Sequence, residues 1–230
     1  MIPKMEQTNL PINSHREVIL AALKEHDCII VIGETGSGKT TALPRIVREA
    51  GFEKVCVTQP RRVAAIAAAR RVAEELGSRV GEQVGYNVRF EHMTSSDTVI
   101  TFATDGVLLR QAVGAPSLRM FDALVLDEAH ERSLNTDVLF ALAKRVLANR
   151  RRCREAAAAA AHSSSKADAN FTTSAEGGLQ RVVVASATLN AAKLSSYFFD
   201  APVLHVEGRC FPVSIMRECH RVQPAGRAPC

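Results

Sequence analysis

The feature that most constrains the fold of this chain is an apolar run that leads directly into a glycine-rich loop. The run CIIVI at residues 28–32 is followed by GETGSGKT at residues 33–40, and a helix-like stretch begins after it. The three glycines of the loop let the backbone wrap an anion with its N–H groups turned inward. A strand, a loop and a helix in this order predict a phosphate-binding loop, and therefore a nucleoside-triphosphate binder.

The loop residues have distinct expected roles. We expect Lys39 to reach the β- and γ-phosphates and Thr40 to place its hydroxyl on a Mg²⁺ ion. The positive end of the helix that begins there adds a fixed attraction for the same phosphates. The residues predicted to contact the nucleotide through this loop are Gly33, Glu34, Thr35, Gly36, Ser37, Gly38, Lys39 and Thr40.

A second motif, ALVLDEAH at residues 123–130, is of the kind that accompanies a phosphate-binding loop in a nucleotide site. A short apolar run that ends in two acids indicates a buried parallel strand that presents carboxylates at its C-terminal end, where open α/β sheets bind ligands. We expect Asp127 to hold Mg²⁺ and Glu128 to orient and polarise the attacking water. A solvated acid pair is the alternative for this motif alone, but the phosphate loop upstream favours an ATP–Mg²⁺ site.

Composition limits the remaining possibilities. A chain of 230 residues that is 47% hydrophobic suffices for one sizeable α/β core. The net charge of +5 permits a polyanionic partner without requiring one. The six cysteines lack the spacing of a metal site, so we expect reduced thiols. No segment resembles a membrane span or a secretory signal, so we expect an intracellular protein without a membrane partner.

The order of apolar β-branched runs and helix-like runs predicts a doubly wound, mostly parallel α/β sheet. A leading helix at residues 11–27 is expected, capped by Ser14 with Glu17 three residues on, and with Val18, Ile19, Ala22 and Leu23 as its apolar positions. Further strands are predicted at 28–32, 54–58, 84–90, 98–103, near 123–126 and at 181–185, and further helices at 41–50, 62–76, 105–113, 136–149 and 191–198.

One stretch, residues 150–178, departs from this alternation. It runs through a basic patch, an alanine tract and a segment rich in Ser, Thr and Gly, which offers little apolar bulk to a core. We predict a partly disordered surface insertion here. Its arginines, Arg150, Arg151, Arg152 and Arg154, are interpreted as a basic helix end that faces solvent, with RNA contact or a localisation signal as the alternatives.

Six motifs occur in an order that resembles the DEAH-box RNA helicases. They are GETGSGKT at 33–40, TQPRRVAA at 58–65, VGYNVRFE at 84–91, TDGVLLR at 104–110, LDEAHERS at 126–133 and SAT at 186–188. The resemblance spans about residues 10–217 and corresponds to the first of the two RecA-like domains of such helicases, each a doubly wound parallel sheet. It implies an ATP-dependent RNA helicase with a P-loop NTPase domain.

The resemblance also implies roles for residues outside the nucleotide loop. Thr58, Arg61 and Arg62 look like the motif that grips the backbone of single-stranded RNA, and Thr104, Asp105 and Gly106 look like a second backbone contact. Solvent-facing charge at a helix start is the alternative for the two arginines, but cations are unfavourable there and a bound phosphate would relieve that cost.

Four further residues carry roles by the same resemblance. Arg71 falls where the family stacks an arginine on adenine, although an exposed arginine on an amphipathic helix fits equally. His130 resembles the catalytic-motif residue that links the nucleotide site to the second domain, with a locally bonded imidazole as the alternative. Ser186 and Thr188 resemble the motif that couples hydrolysis to strand separation, and small hydroxyls that cap a turn are the alternative.

Two departures from the family pattern qualify this interpretation. Ala42 and Arg45 stand where the family usually has glutamine. Nothing after Cys210 resembles the second RecA-like domain or its arginine finger, whose absence costs on the order of 10³ to 10⁵ in rate, so we expect a truncated form with weak activity in isolation. The expected division is an N-terminal extension at 1–13, the helicase domain at 14–217 and a tail at 218–230.

The expected partners are RNA and a helicase cofactor protein, in the nucleus rather than the cytoplasm. Two other functions remain open at this level. One is a nucleotide-regulated module that binds RNA or a partner without turnover, and the other is a DNA-directed translocase, because motifs that grip a phosphate backbone carry little sequence information.

Overall fold

The computed structural model describes residues 10–115, 117–163, 178–188 and 190–208. Within them the strands are β1 (Cys28–Gly33), β2 (Val55–Gln59), β3 (Val84–Val88), β4 (Glu91–Met93), β5 (Ile100–Thr104), β6 (Ala123–Leu126), β7 (Arg181–Ser186) and β8 (Val203–Val206). The α-helices are α1 (Arg16–Glu25), α2 (Lys39–Glu49), α3 (Arg62–Glu75), α4 (Asp105–Gly114), α5 (Leu134–Ser163) and α6 (Ala191–Tyr197). Pro11–His15 and Ala129–Glu131 form short 3₁₀ helices.

The eight strands form one sheet in the order β4-β3-β5-β2-β6-β7-β1-β8. Every neighbouring pair is parallel except β3 and β4, which pair antiparallel. The predicted doubly wound, mostly parallel sheet is therefore confirmed. Because the parallel strands run in the same direction, the residues that follow them gather at one edge of the sheet.

Helices cover both faces of this sheet. Ile29 and Val31 of β1 pack into one apolar cluster with α1, α2 and α3, whereas Cys28 and Ile30 pack into a second cluster with α4, α5 and α6. This alternation follows from the two-residue period of a strand. Burial on both faces explains why β1 and β7 are almost continuously apolar in sequence.

The leading helix differs from the prediction at its start. Residues 11–15 form a 3₁₀ turn, and α1 begins at Arg16. The Ser14 hydroxyl donates to the Pro11 carbonyl at 2.7 Å, so it does not cap the helix through the predicted box with Glu17. Val18, predicted to be an apolar packing position, is 54% exposed, while Ile19, Ala22 and Leu23 are buried.

Residues 150–163 of the predicted insertion are helical, since α5 continues without a break to Ser163, past the predicted helix end at residue 149. Alanine has the highest intrinsic helix propensity, which favours continuation through the alanine tract. The arginines of this stretch were expected to face solvent, but two of them bind Asp27. Arg151 Nε and Arg154 Nη2 donate to Asp27 Oδ2 at 2.9 and 2.5 Å. Residues 164–177 lie outside the described residues.

The remaining differences concern the edges of the sheet. The strand predicted at 84–90 ends at Val88, and the chain turns through Phe90, at φ 69°, into β4. The edge strand β8 was not predicted, because VLHV is too short and too exposed to show a clear period. The predicted C-terminal tail at 218–230 lies outside the described part of the chain.

Two further sequence expectations concern membrane spans and the state of the cysteines. None of the helices in the described part is long and apolar enough to cross a membrane. Cys28 and Cys56 are buried free thiols whose pKa values burial raises, and Cys153 is an exposed free thiol. Cys210, Cys219 and Cys230 lie outside the described ranges.

Candidate nucleotide-binding site

The glycine-rich loop has the backbone geometry that a phosphate cradle requires. It leaves the end of β1 at Gly33 and enters α2 at Lys39. Gly36 and Gly38 have φ values of 86° and 95°, in the left-handed region that glycine tolerates without strain. Gly33 lies against β8, where an added Cβ would approach the Val206 carbonyl oxygen to 2.9 Å. The loop therefore requires glycine for conformation at two positions and for space at the third.

The chain just before α1 supports this loop from outside. The Ile12 backbone N–H donates to the Ser37 carbonyl at 3.1 Å. A Cβ added at Gly38 would lie 3.0 Å from side-chain atoms of both Leu10 and Ile12. The segment 10–12 thus contacts the phosphate loop directly, a contact that the sequence did not indicate.

Lys39 lies inside the loop and is 6% exposed. Its ammonium group donates to the backbone carbonyls of Gly33 and Glu34, the latter at 2.8 Å, and to the Ser37 hydroxyl at 3.2 Å. Burial lowers the pKa of Lys39, and the nearby carboxylates of Asp127, Glu128 and Glu34 oppose that shift. A cation held at the centre of a glycine cradle is positioned to meet the charge of a polyphosphate.

Asp127 is the point at which the two sequence motifs meet. Its Oδ2 accepts hydrogen bonds from the Thr40 hydroxyl and from the Gln59 side-chain amide, each at 2.6 Å. Its Oδ1 accepts the Glu128 backbone N–H at 2.9 Å. The carboxylate is 1% exposed, and burial raises its pKa against the opposing hydrogen bonds from Thr40 and Glu128.

Glu128 and His130 extend the site toward β7. Glu128 has φ 50° and ψ 34°, a left-handed conformation that is strained for a residue with a side chain. His130 Nδ1 lies 3.4 Å from Glu128 Oε2 and accepts the Ala187 backbone N–H at 3.5 Å. Ser186 is buried with its hydroxyl unpartnered among the described residues, and Thr188 is exposed. The histidine therefore connects the acid pair to the SAT segment.

These residues fit a nucleotide with Mg²⁺. The Thr40 hydroxyl and the Asp127 carboxylate, already 2.6 Å apart, are oxygen ligands of the kind that Mg²⁺ prefers. No group of three or more His, Cys, Asp or Glu side chains in the described ranges forms a metal site by itself. Mg²⁺ is commonly held by one or two protein oxygens together with substrate phosphates, so a small protein ligand set agrees with this ion.

Comparison with known protein families supports the same conclusion. The family model of an AAA domain matches residues 22–159, more than half of the chain. The chain belongs to the AAA domain family. The matched region begins in α1, contains the phosphate loop and the acid pair, and ends in α5. An AAA domain is a P-loop ATPase domain, a class that generally uses ATP and Mg²⁺.

In this AAA domain, the residues expected to grip RNA lie at the same edge of the sheet as the nucleotide site. Arg61 occupies the position just before α3 without capping it, and its side chain is 75% exposed with Nη2 3.2 Å from Glu131 Oε1. Arg62 begins α3, and its side chain is half exposed with Nη2 3.9 Å from Glu91 Oε2. No acidic residue lies in the first turn of this helix.

The other expected RNA contacts are less accessible. Thr58 and Asp105 are 0% and 2% exposed, and Thr104, just before the start of α4, is 8% exposed. Asp105 Oδ2 accepts from the Thr136 hydroxyl at 2.5 Å, and the Ser133 hydroxyl lies at 3.4 Å from the same atom. Burial raises the pKa of Asp105, against these hydrogen bonds. Gly106 remains exposed beside them.

Arg71 lies on α3 and forms ion pairs along its own helix. Its Nε donates to Glu75 Oε1 at 2.7 Å, and its Nη1 lies 3.9 Å from Glu74 Oε2. These contacts match the expectation for an exposed arginine on an amphipathic helix, and its role toward adenine stays a prediction.

Sequence reasoning missed two contributors to the site. Gln59 is 2% exposed and donates to the Asp127 carboxylate. It stands inside the TQPRRVAA motif and could have been found as a polar residue at the C-terminal end of a buried strand. Glu131 binds Arg61, but its position after the acid pair gives no sequence signal for that contact.

Proposed function

We propose that this AAA domain is the first RecA-like domain of a DEAH-box ATP-dependent RNA helicase. It binds and hydrolyses ATP with Mg²⁺ and grips the RNA backbone. The observation that carries the proposal is the common edge of the sheet: β2, which ends beside Arg61, pairs with both β5 and β6, which end at Thr104 and beside Asp127. The nucleotide site and the candidate RNA surface are therefore neighbours.

Each side chain at the nucleotide site has a chemical task in this function. Lys39 balances the phosphate charge, Thr40 and Asp127 hold Mg²⁺, and Gln59 fixes the orientation of the Asp127 carboxylate. The metal, when bound, neutralises charge on the phosphates. Glu128 is the general base, because it is the residue immediately after Asp127, which binds the metal. Its left-handed backbone conformation orients its carboxylate differently from that of Asp127.

The candidate RNA surface has two kinds of residue. Arg61 and Arg62 are exposed and offer fork-shaped guanidinium donors that match phosphate oxygens. Thr58 and Asp105 are buried, so in this function their side chains do not contact RNA but stabilise the backbone of the segments that do. Gly106, with no side chain, lets a phosphate approach the start of α4, where the helix dipole favours an anion.

ATP hydrolysis and RNA binding, measured separately, test the proposal. The wild-type chain is expected to hydrolyse ATP faster with single-stranded RNA present, and Glu128→Gln is expected to abolish hydrolysis while it retains nucleotide binding. The double variant Arg61→Ala and Arg62→Ala should weaken RNA binding. It should also reduce the slope of log K against log[salt] by the amount expected for the loss of about one to two phosphate contacts. Lys193→Ala, an exposed residue of α6, is the control variant.

Three outcomes would decide against parts of the proposal. RNA binding without any turnover would favour a nucleotide-regulated binding module. Equal stimulation by single-stranded DNA and RNA would favour a translocase without sugar preference. Hydrolysis unaffected by either nucleic acid would leave an AAA ATPase domain and remove the helicase assignment.

A further inference from the structure

We propose that Glu131 is a positioning residue that holds Arg61 until an RNA phosphate replaces it, and that this exchange couples RNA binding to the nucleotide site. The inference deepens the proposed function and rests on it. It assigns to Glu131 a role as an internal stand-in for the RNA phosphate.

The Arg61–Glu131 contact is suited to exchange. The two side chains are 75% and 31% exposed, and Nη2 and Oε1 lie 3.2 Å apart. A solvent-exposed ion pair contributes little to stability, so its replacement costs little. A phosphate oxygen offers the same guanidinium a stronger, charge-assisted partner. Within the described part of the chain, Glu131 is therefore the carboxylate partner of Arg61 that an incoming phosphate would displace.

Glu131 belongs to the segment that carries the acid pair. The chain passes from Asp127 and Glu128 directly into the 3₁₀ turn that ends at Glu131. Both Glu128 and Arg132 adopt left-handed conformations, with φ 50° and 48°. A segment with strained residues at both ends persists only because its surroundings hold it, so the loss of one contact biases its conformation.

A second contact ties the same segment to the other candidate RNA surface. The Thr136 and Ser133 hydroxyls, just beyond Arg132, lie at 2.5 and 3.4 Å from the Asp105 carboxylate at the start of α4. The start of α3 and the start of α4 are thus each linked to the chain that follows the acid pair. Both sites act on this one segment, which is the physical requirement for energetic coupling between them.

The neighbouring pair of Arg62 and Glu91 supplies a matched comparison. It is likewise exposed, with 3.9 Å between Nη2 and Oε2. Glu91 lies on β4, at the edge of the sheet, four places from the strand that leads to Asp127. Removal of its charge changes the electrostatics of RNA binding without touching the acid-pair segment.

The test is equilibrium binding of a fluorescein-labelled single-stranded oligouridylate, followed by anisotropy, with and without a non-hydrolysable ATP analogue and Mg²⁺. The ratio of the two RNA dissociation constants is the coupling factor. We expect about fivefold or more for the wild type, in the range of typical allosteric couplings. Glu131→Gln and Glu91→Gln should each tighten nucleotide-free RNA binding by about two- to fivefold, as loss of an exposed competing carboxylate allows.

The coupling factor separates the two variants. Glu131→Gln is expected to bring it toward one, whereas Glu91→Gln keeps the wild-type value, and equal thermal unfolding midpoints show that neither variant is misfolded. A wild-type coupling factor retained in Glu131→Gln, or lost equally in Glu91→Gln, would overturn the inference. RNA binding that Arg61→Ala weakens, with no coupling in the wild type, would overturn it while the proposed function stands; no RNA binding at all would remove both.

Discussion

Replacing Gly38 of the phosphate loop with alanine should destabilise the protein more than replacing Gly36. Gly36 and Gly38 have similar left-handed φ values of 86° and 95°, so each alanine variant carries about 1–2 kcal/mol of backbone strain. Their surroundings differ. A Cβ at Gly36 would meet nothing within 4 Å, whereas a Cβ at Gly38 would lie 3.0 Å from Ile12 Cγ2 and from Leu10 Cδ1. Overpacking of that kind costs about 1–3 kcal/mol more.

Urea denaturation of the two variants measures this difference. Gly38→Ala is expected to lower the free energy of unfolding by about 1–3 kcal/mol more than Gly36→Ala. If the excess comes from the Ile12 contact, Ile12→Ala combined with Gly38→Ala should destabilise less than the sum of the two single variants. Equal losses for Gly36→Ala and Gly38→Ala would refute the packing of residues 10–12 against the phosphate loop.

Two carboxylates provide further predictions with opposite pH behaviour. Burial raises the pKa of Asp27, but hydrogen bonds from Arg154 and Arg151 outweigh it and leave the pKa below its usual value, so the stabilisation is present at neutral pH and lost as pH falls through the lowered pKa. Asp27→Asn should lower the free energy of unfolding by about 1–3 kcal/mol at pH 7, an amount discounted because the arginines are partly exposed. Burial raises the pKa of Asp105, so its charge opposes folding at neutral pH; Asp105→Asn should cost less than about 1 kcal/mol there and relatively more at low pH. Unfolding free energies at pH 7, about pH 4 and about pH 2.5 check both, because the Asp105 effect changes between pH 7 and pH 4 and the Asp27 effect changes below pH 4; equal pH dependence of the two variants would contradict the contacts.

Much of the fold could be predicted because the core obeys simple periodicity. The strand at residues 28–33 and the strand at 181–186 are buried on both faces and read as continuous apolar runs. The helix that begins at Arg62 follows an alanine-rich pattern and ends before Gly77, which has φ 64°. Boundaries within one or two residues of the prediction reflect the usual fraying of element ends.

The errors arise where tertiary contacts decide the local structure. The helix through the alanine tract continues to Ser163, and its Arg151 and Arg154 are anchored on Asp27, far away in sequence. Val18 fits the helical apolar period but is 54% exposed, because it lies at the margin of the buried face formed by Ile19, Ala22 and Leu23. The helix propensity of the alanine tract is a local signal, but the contacts with Asp27 and the exposure of Val18 are not available from a local pattern.

The candidate site shows the same division. The two nucleotide motifs indicated that Thr40 and Asp127 share a metal site, and the structure brings them to 2.6 Å. The burial of Thr58 and Asp105 could not be predicted, because a motif states which residues occur and not which of their side chains reach the surface. Long-range partners such as Gln59 and Glu131 require the folded sheet to be seen.

Titration with ATP in the presence and absence of Mg²⁺ tests the central claim most directly, because that claim joins the glycine loop and Asp127 in one site. The wild-type chain is expected to take up ATP saturably with Mg²⁺ and more weakly without it. Lys39→Ala should lose that uptake, and Thr40→Ala should lose the dependence on Mg²⁺, while Lys193→Ala behaves as wild type. An absence of saturable uptake in a folded wild-type chain, or uptake unchanged in Lys39→Ala, would contradict the account.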